Sequence, residues 1–410
     1  MRPCRAVAVL ATVLVVLVAA AGCSKGAQEA QPQKVVIGMP LSFTGSTAKE
    51  GQMCKEGVEL WKDYVNDRGG INIGGKKYLV EIKFYDDESK PETSARLTEK
   101  LITEDNIKLL FAPYGSPAGF AASTVAEKYK VPMIMGAGGA TNIFTRGYKY
   151  IFGVYAASSD YFKATVDLLM TMEPRPKTVA ILTKNDVFSL EAAEGAKKFC
   201  QDKGLQIVYY DVFPVGTKDL TPQITAIKQK NPDVFLGSSH LAESIIMMRN
   251  CKELDFCPQM IAMTVGPPVP DFAKTLGKDA EYVLGCAMWV PTARYKDPVF
   301  GDTQTYVKLF KEKWGHDPSY HAAGTTTAAE LLQMGLEKAG STDPEKVREA
   351  LSQLGEVELL WGRFRHAPNG MVEGKEVATI QILNGQPVPV WPKDVAAETF
   401  KYPLPPWSQR

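Results

Sequence analysis

From residue 35 onward, short apolar runs alternate with amphipathic segments. That alternation sets the fold class, because strand, helix and strand in succession close into a βαβ unit with a parallel sheet. Val35-Val36-Ile37 opens the first strand, and a helix follows with Val58, Trp61 and Val65 on one face before Gly69-Gly70 stops it. Tyr78, Val80, Ile82 and Phe84 alternate in period two, as a half-buried strand does. Pro91 stands where it starts a helix, a strand covers 107–111, a helix runs through Val125, and a strand covers 131–135. One α/β lobe is then complete. A second of the same design opens at Ser158-Ser159, expected to cap a helix that turns Phe162, Val166 and Leu169 inward, and continues through strands at 179–182, 205–210, 234–236 and 260–263.

Beyond Tyr282 the chain offers a strand over 283–290 and then helical segments around 303–314, 322–339 and 344–354. It closes with 363–366 and with a run over 377–383 that turns at Asn384-Gly385, a strong hairpin signal. This material builds no third core. The chain is therefore expected to return to the first lobe near 285–292 and to the second near 361–366. The N-terminal lobe would comprise 34–154 plus 289–361, the C-terminal lobe 155–288 plus 362–400, and 401–410 a tail. Three crossovers make a hinge, and two α/β lobes facing each other across it close around a ligand at the facing strand ends.

The N-terminus reads as an export signal over residues 1–22: Arg2 and Arg5, an uncharged run from Ala6 to Ala21, then Ala20-Ala21-Gly22-Cys23. The run is shorter than the ~20 apolar residues a membrane span needs. The tetrapeptide resembles the bacterial lipobox, which implies that Cys23 is lipidated and becomes the membrane anchor. Residues 23–33 are small and polar, as suits a flexible tether. With 47 basic and 46 acidic side chains the net charge is +1, so no global field recruits nucleic acid or an anionic membrane surface. Setting Cys4 and Cys23 aside leaves Cys54, Cys200, Cys251, Cys257 and Cys286. An exported compartment permits disulfides, and Cys251 with Cys257 is the candidate pair because the loop between them is short.

Several stretches carry a family resemblance: Ile37-Gly38-Met39-Pro40-Leu41-Ser42-Phe43-Thr44-Gly45, Val65-Asn66-Asp67-Arg68-Gly69-Gly70-Ile71, and Tyr85-Asp86-Asp87-Glu88-Ser89-Lys90-Pro91. Pro132, Gly139-Ala140-Thr141-Asn142 and Pro318-Ser319-Tyr320-His321-Ala322-Ala323 extend it. In these the chain resembles the periplasmic solute-binding proteins of the branched-chain amino acid (Leu/Ile/Val-binding) type, which serve ABC importers. The resemblance implies the type I fold of two parallel-sheet α/β lobes with a three-strand hinge, an extracytoplasmic location, a permease as partner, and no cofactor. The same two-lobed module also resembles ligand-sensing parts of receptors, so presentation of the solute to a signalling receptor is the alternative.

The resemblance also implies a site. In the family a Ser after the third strand receives the ligand's carboxylate with neighbouring backbone N–H groups, and the matching stretch is Tyr114-Gly115-Ser116. A hydroxyl and helix-start N–H groups provide the donors a carboxylate wants in a dry cleft. Gly139-Ala140-Thr141 would let the ligand approach backbone and offer the Thr hydroxyl, while Phe188, after Asn185-Asp186, would cover it from the second lobe. Ser42, Ser239, His240 and Val265 follow strand ends that are expected to reach the cleft. The departure comes after 260–263, where amino-acid binders of the family place a carboxylate for the ammonium group. Here the chain reads Thr264-Val265-Gly266-Pro267-Pro268, with no acid until Asp271. An unpaired ammonium in a closed cleft costs several kcal/mol, so the expectation moves to a carboxylate without an amine, aliphatic or aromatic. Tyr114, Tyr155, Phe188 and Trp289 would offer rings to pack on.

Catalytic signatures do not match. Gly115-Ser116-Pro117-Ala118-Gly119 puts its Ser one place early for a nucleophile elbow. His240, His316, His321 and His366 lack partners at metal-ligand spacing. Gly136-Ala137-Gly138-Gly139-Ala140-Thr141 departs from the dinucleotide pattern at its sixth position. A binding protein with no metal and no cofactor is expected rather than an enzyme.

Overall fold

The computed structural model describes residues Gln33–Arg410, so the export signal, Cys23 and all of the tether but Gln33 lie outside the described residues. Strand β1 (Gln33–Leu41) leads into helix α1 (Ala48–Asn66), whose Val58 and Trp61 are fully buried. The hairpin β2 (Ile71–Ile73) and β3 (Lys76–Asp86) follows, then α2 (Pro91–Thr103), with Pro91 at its first position where the missing N–H has no cost. Next come β4 (Leu110–Phe111), α3 (Ser116–Lys128), β5 (Met133–Met135) and β6 (Ile151–Gly153). Their strands form one sheet in the order β2-β3-β1-β4-β5-β6, with β1, β4, β5 and β6 mutually parallel.

The second lobe repeats the plan. Helix α4 (Lys163–Leu169) precedes β7 (Thr178–Lys184), α5 (Val187–Asp202), β8 (Gln206–Phe213), α6 (Thr221–Lys230), β9 (Val234–Ser238), α7 (Leu241–Glu253), β10 (Met260–Met263), α8 (Pro270–Leu276) and β11 (Leu284–Ala287). Phe162, Val166 and Leu169 do turn inward, but neither Ser158 nor Ser159 caps α4: they form a 3-10 turn, and α4 begins only at Lys163.

The chain then runs through the short pair β12 (Lys296–Asp297) and β13 (Gly301–Asp302) into α9 (Thr303–Trp314) and α10 (Tyr320–Ala339). Helix α10 lies on α1, where Thr325 Oγ1 donates to Cys54 O at 2.9 Å and Thr326 Oγ1 to Gly57 O at 3.0 Å. After α11 (Pro344–Ser352), strands β14 (Glu356–Leu359), β15 (Gly362–His366) and β16 (Val372–Glu373) form a small antiparallel sheet. The hairpin β17 (Ala378–Leu383) and β18 (Gln386–Trp391), turning at Asn384 and Gly385 with φ of 53° and 73°, completes the second sheet in the order β18-β17-β11-β10-β9-β7-β8. Segment 401–410 packs on this lobe rather than trailing from it: Leu404 is buried and Trp407 Nε1 donates to Phe256 O at 3.2 Å.

The candidate disulfide is not formed, for all five described cysteines are free. Cys251 sits inside α7 with its thiol fully buried, whereas Cys257 lies beyond the helix end and turns to the C-terminal segment, its thiol 3.4 Å from Pro405 O and 3.2 Å from Arg410 Nη2.

The interlobe cleft as candidate functional site

In both sheets the strand order reverses at the first strand of the lobe, β1 or β7. Helices on either side of such a strand leave to opposite faces, so a crevice opens at its carboxyl end. Residues just past the strand ends therefore face each other across the cleft. From the first lobe come Tyr114 and Ser116 after β4, Gly138 and Gly139 after β5, and Tyr320 and His321 in the first turn of α10, with Tyr155 at the crossover after β6. From the second come Tyr161, Phe188 in the first turn of α5, His240 after β9 and Val265 after β10. Together these enclose a cavity of about 20 Å³, room for roughly one water molecule. A second cavity of about 120 Å³ lies alongside, lined by Ser42, Thr47, Lys184 and Asp186 among others. Tyr114 and His240 line both cavities, and their contact, Tyr114 hydroxyl to His240 Nδ1 at 3.1 Å, stands between the two.

Ser116 is 1% exposed and is the first residue of α3, yet its hydroxyl does not cap its own helix. Its Oγ accepts from Gly139 N at 3.2 Å and Ala140 N at 3.1 Å. Gly115, at φ 83°, supplies the left-handed turn that aims the serine, and its own N–H goes to Ala137 O at 2.8 Å. At Gly139 a Cβ would meet Ala156 O at 2.4 Å, so only glycine fits there. These N–H groups, expected to meet a ligand directly, instead hold Ser116; the serine proton has no acceptor among the described residues and remains to donate.

Three other candidates are committed elsewhere. Ser42 Oγ donates to Asp87 Oδ1 at 2.7 Å, tying β1 to β3 at the rim of the outer cavity. Thr141 pairs with the second lobe through its backbone, N to Glu191 Oε2 at 2.9 Å, and lines neither cavity. Ser239 turns into its own lobe, with Oγ 3.0 Å from Ser244 Oγ, because alternate residues leaving a strand point to opposite sides. Trp289 lies away from the cavity, with Nε1 donating to Leu360 O at 3.1 Å and its ring edge-on to Tyr306. Phe188 and Tyr155 do form walls: the Phe188 ring lies 4.9 Å from Tyr161 and 5.4 Å from His240, and the Tyr155 ring 5.0 Å from Trp361.

Charged side chains gather in the second lobe beside His240, and of these Lys184 carried no signal in the sequence. Lys184 Nζ lies 2.9 Å from Glu243 Oε1 and 3.8 Å from Asp186 Oδ2, and His240 Nε2 lies 3.2 Å from Asp186 Oδ2. Burial alone would raise the Asp186 carboxyl, but His240, the Ser189 N–H and Lys184 together bring it down to about 2. Glu50 reaches across from α1 to accept from Leu241 N at 3.4 Å, and burial, opposed by His240, raises its carboxyl. Burial, with His240 nearby, pushes the His321 ring down to about 3, so it is neutral. Among the described residues no carboxylate lines the inner cavity. Among the described residues no cluster of His, Cys, Asp and Glu could hold a metal ion, and no helix is long and apolar enough to cross a membrane.

A family model for periplasmic binding proteins matches residues 34–386. A Leu/Ile/Val-binding protein homolog from Brucella abortus is 23% identical over 381 residues, covering 90% of this chain and 93% of that protein. A leucine-binding protein from Thermotoga maritima superposes with a TM-score of 0.78 at 22% identity, covering 87% of this chain and 97% of that one. An ABC transporter solute-binding protein from R. palustris, solved in complex with benzoate, superposes with a TM-score of 0.75 at 18% identity, covering 91% and 97%. Since the family model spans both lobes and the segments that join them, the chain belongs to the periplasmic binding protein family, with its type I fold.

Proposed function

We propose that this protein captures a small organic carboxylate lacking an amino group between its lobes and delivers it to an ABC importer, binding the solute rather than transforming it. Periplasmic binding proteins are extracytoplasmic, and a lipid on Cys23 would tether this one to the membrane beside its permease. The observation that carries the reading is Ser116: a buried hydroxyl, braced by two backbone N–H groups, keeps its proton for an acceptor at a cavity that no carboxylate lines. A carboxylate is served there, whereas an ammonium would have no counter-charge. Gly115, Gly139 and Ala140 hold that serine; Tyr114, Phe188, His240 and Val265 close over the ligand. The benzoate complex of the R. palustris protein supports this choice.

The lobes part at crossovers near residues 154, 288 and 362. A ligand bridging them stabilises the joined form by its differential affinity alone, and the permease reads that form. A thermal-shift series on the purified protein tests the function, because a ligand at 100 times its Kd adds about 2.7 kcal/mol of stability. Benzoate or 4-methylpentanoate is expected to raise Tm, and leucine is not. A shift with leucine alone would sink the reading.

Binding should also fall on the acid side. The His321 ring drops from 6.5 to about 3 when enclosed, so the joined form gains full advantage above pH 6.5 and loses it as pH falls. At pH 5 a parted, hydrated form takes up the proton and closure must expel it, so Kd is expected to rise from pH 7 to pH 5. Calorimetric titration at pH 7 and pH 5 measures it, and His321→Gln should flatten the difference.

A further inference from the structure

Two polar atoms of residues in the inner cavity wall have no hydrogen-bond partner among the described residues: the Tyr320 hydroxyl and His321 Nε2. Both side chains are 2% exposed and line the cavity. They are consecutive in the first turn of α10, with ring centroids 4.0 Å apart. The other His321 nitrogen, Nδ1, lies 3.4 Å from the Tyr155 hydroxyl, and the Tyr114 ring stands edge-on 5.0 Å away. Buried polar atoms are ordinarily paired, and both of these side chains line the same small cavity. They belong to a different segment from Ser116, so they offer the ligand a second point of recognition.

We infer that Tyr320 and His321 together take a neutral hydroxyl on the ligand, so that the solute is a hydroxy-substituted carboxylic acid rather than an unsubstituted one. The inference rests on the carboxylate reading of the cleft. A hydroxyl both donates and accepts, so it satisfies a phenol and either tautomer of a neutral imidazole. Among the described residues the cavity wall carries no lysine or arginine to meet a second carboxylate on the ligand and no acid to meet an ammonium. A quaternary ammonium would suit the rings of Tyr114, Tyr155, Tyr161 and Phe188, yet it would leave both atoms unpaired. A ligand without the hydroxyl also leaves them unpaired, and sites built to hydrogen-bond a substrate group reject the analogue that lacks it.

Calorimetry on the purified protein at pH 7.5 would compare benzoate with its 3- and 4-hydroxy derivatives, 4-methylpentanoate with 2-hydroxy-4-methylpentanoate, and glycine betaine. In at least one pair the hydroxy acid is expected to bind tenfold or more tightly. Tyr320→Phe and His321→Gln should each bring that ratio near one, because in each variant the hydroxy acid loses more affinity than the unsubstituted acid does. Equal affinity within both pairs, a hydroxyl preference that survives both substitutions, or tighter binding of glycine betaine overturns the inference. If the carboxylates bind and need Ser116 but show no hydroxyl preference, this inference alone fails. If none binds, or Ser116→Ala changes nothing, the carboxylate reading itself fails.

Discussion

Ser116→Ala is expected to weaken binding of the carboxylate ligand about 100-fold, a loss of about 2 to 3 kcal/mol, since hydrogen bonds to charged groups are worth about 1.5–3 kcal/mol. The substitution also strips the acceptor from Gly139 N and Ala140 N, which sit 3.2 and 3.1 Å from the hydroxyl. Part of the loss therefore comes from a cleft wall that is no longer braced. Ser42→Ala separates the two effects. The Ser42 hydroxyl is spent on Asp87 at 2.7 Å, so its removal should cost about 1.5–3 kcal/mol of folding stability and leave Kd within about threefold. Calorimetric titration with urea unfolding of the same samples reads both quantities. Equal losses of affinity in the two variants would mean that the serines act on the fold, and the assignment of Ser116 to the ligand would be abandoned.

The lobes were legible in the sequence because each element carried a local mark. Pro91 opens a helix, Asn384-Gly385 turns a hairpin, and Val58, Trp61 and Val65 lie on one stripe of α1. The general place of the site was legible too, since strand ends at a reversal of strand order are where crevices form. Which side chain of each strand end faces the cleft was not. His240 lines the cavity while its neighbour Ser239 turns inward, and a one-residue step decides between them. The charged partners were hidden by distance along the chain, as Glu50 reaches Leu241 across 191 positions. Tyr320 and His321 were quoted for a family likeness without a role, because α10 is buried on nearly every side. A helix enclosed all round shows no apolar stripe from which an inward face could be read.

Glu243→Ala should lower folding stability by about 3 kcal/mol. Lys184 is 5% exposed, and its ammonium is met by Glu243 at 2.9 Å and by Asp186 at 3.8 Å. Breaking one arm of a buried pair costs about 3–5 kcal/mol, because the remaining charge stays desolvated; Asp186 keeps part of the compensation, which argues for the lower end. The Asp186 carboxyl, held at about 2, stabilises the fold above its ordinary range and loses that contribution only as pH falls toward 2. Replacing both partners, Lys184→Met with Glu243→Leu, removes the charges as well as the pair and should recover most of the loss. Urea unfolding of the wild type, the single variant and the double variant measures the difference. A single variant within 1 kcal/mol of the wild type would mean that water reaches the Lys184 ammonium. Asp186, shared between Lys184 and His240, would then be held less firmly beside the imidazole that meets Tyr114 across the cleft.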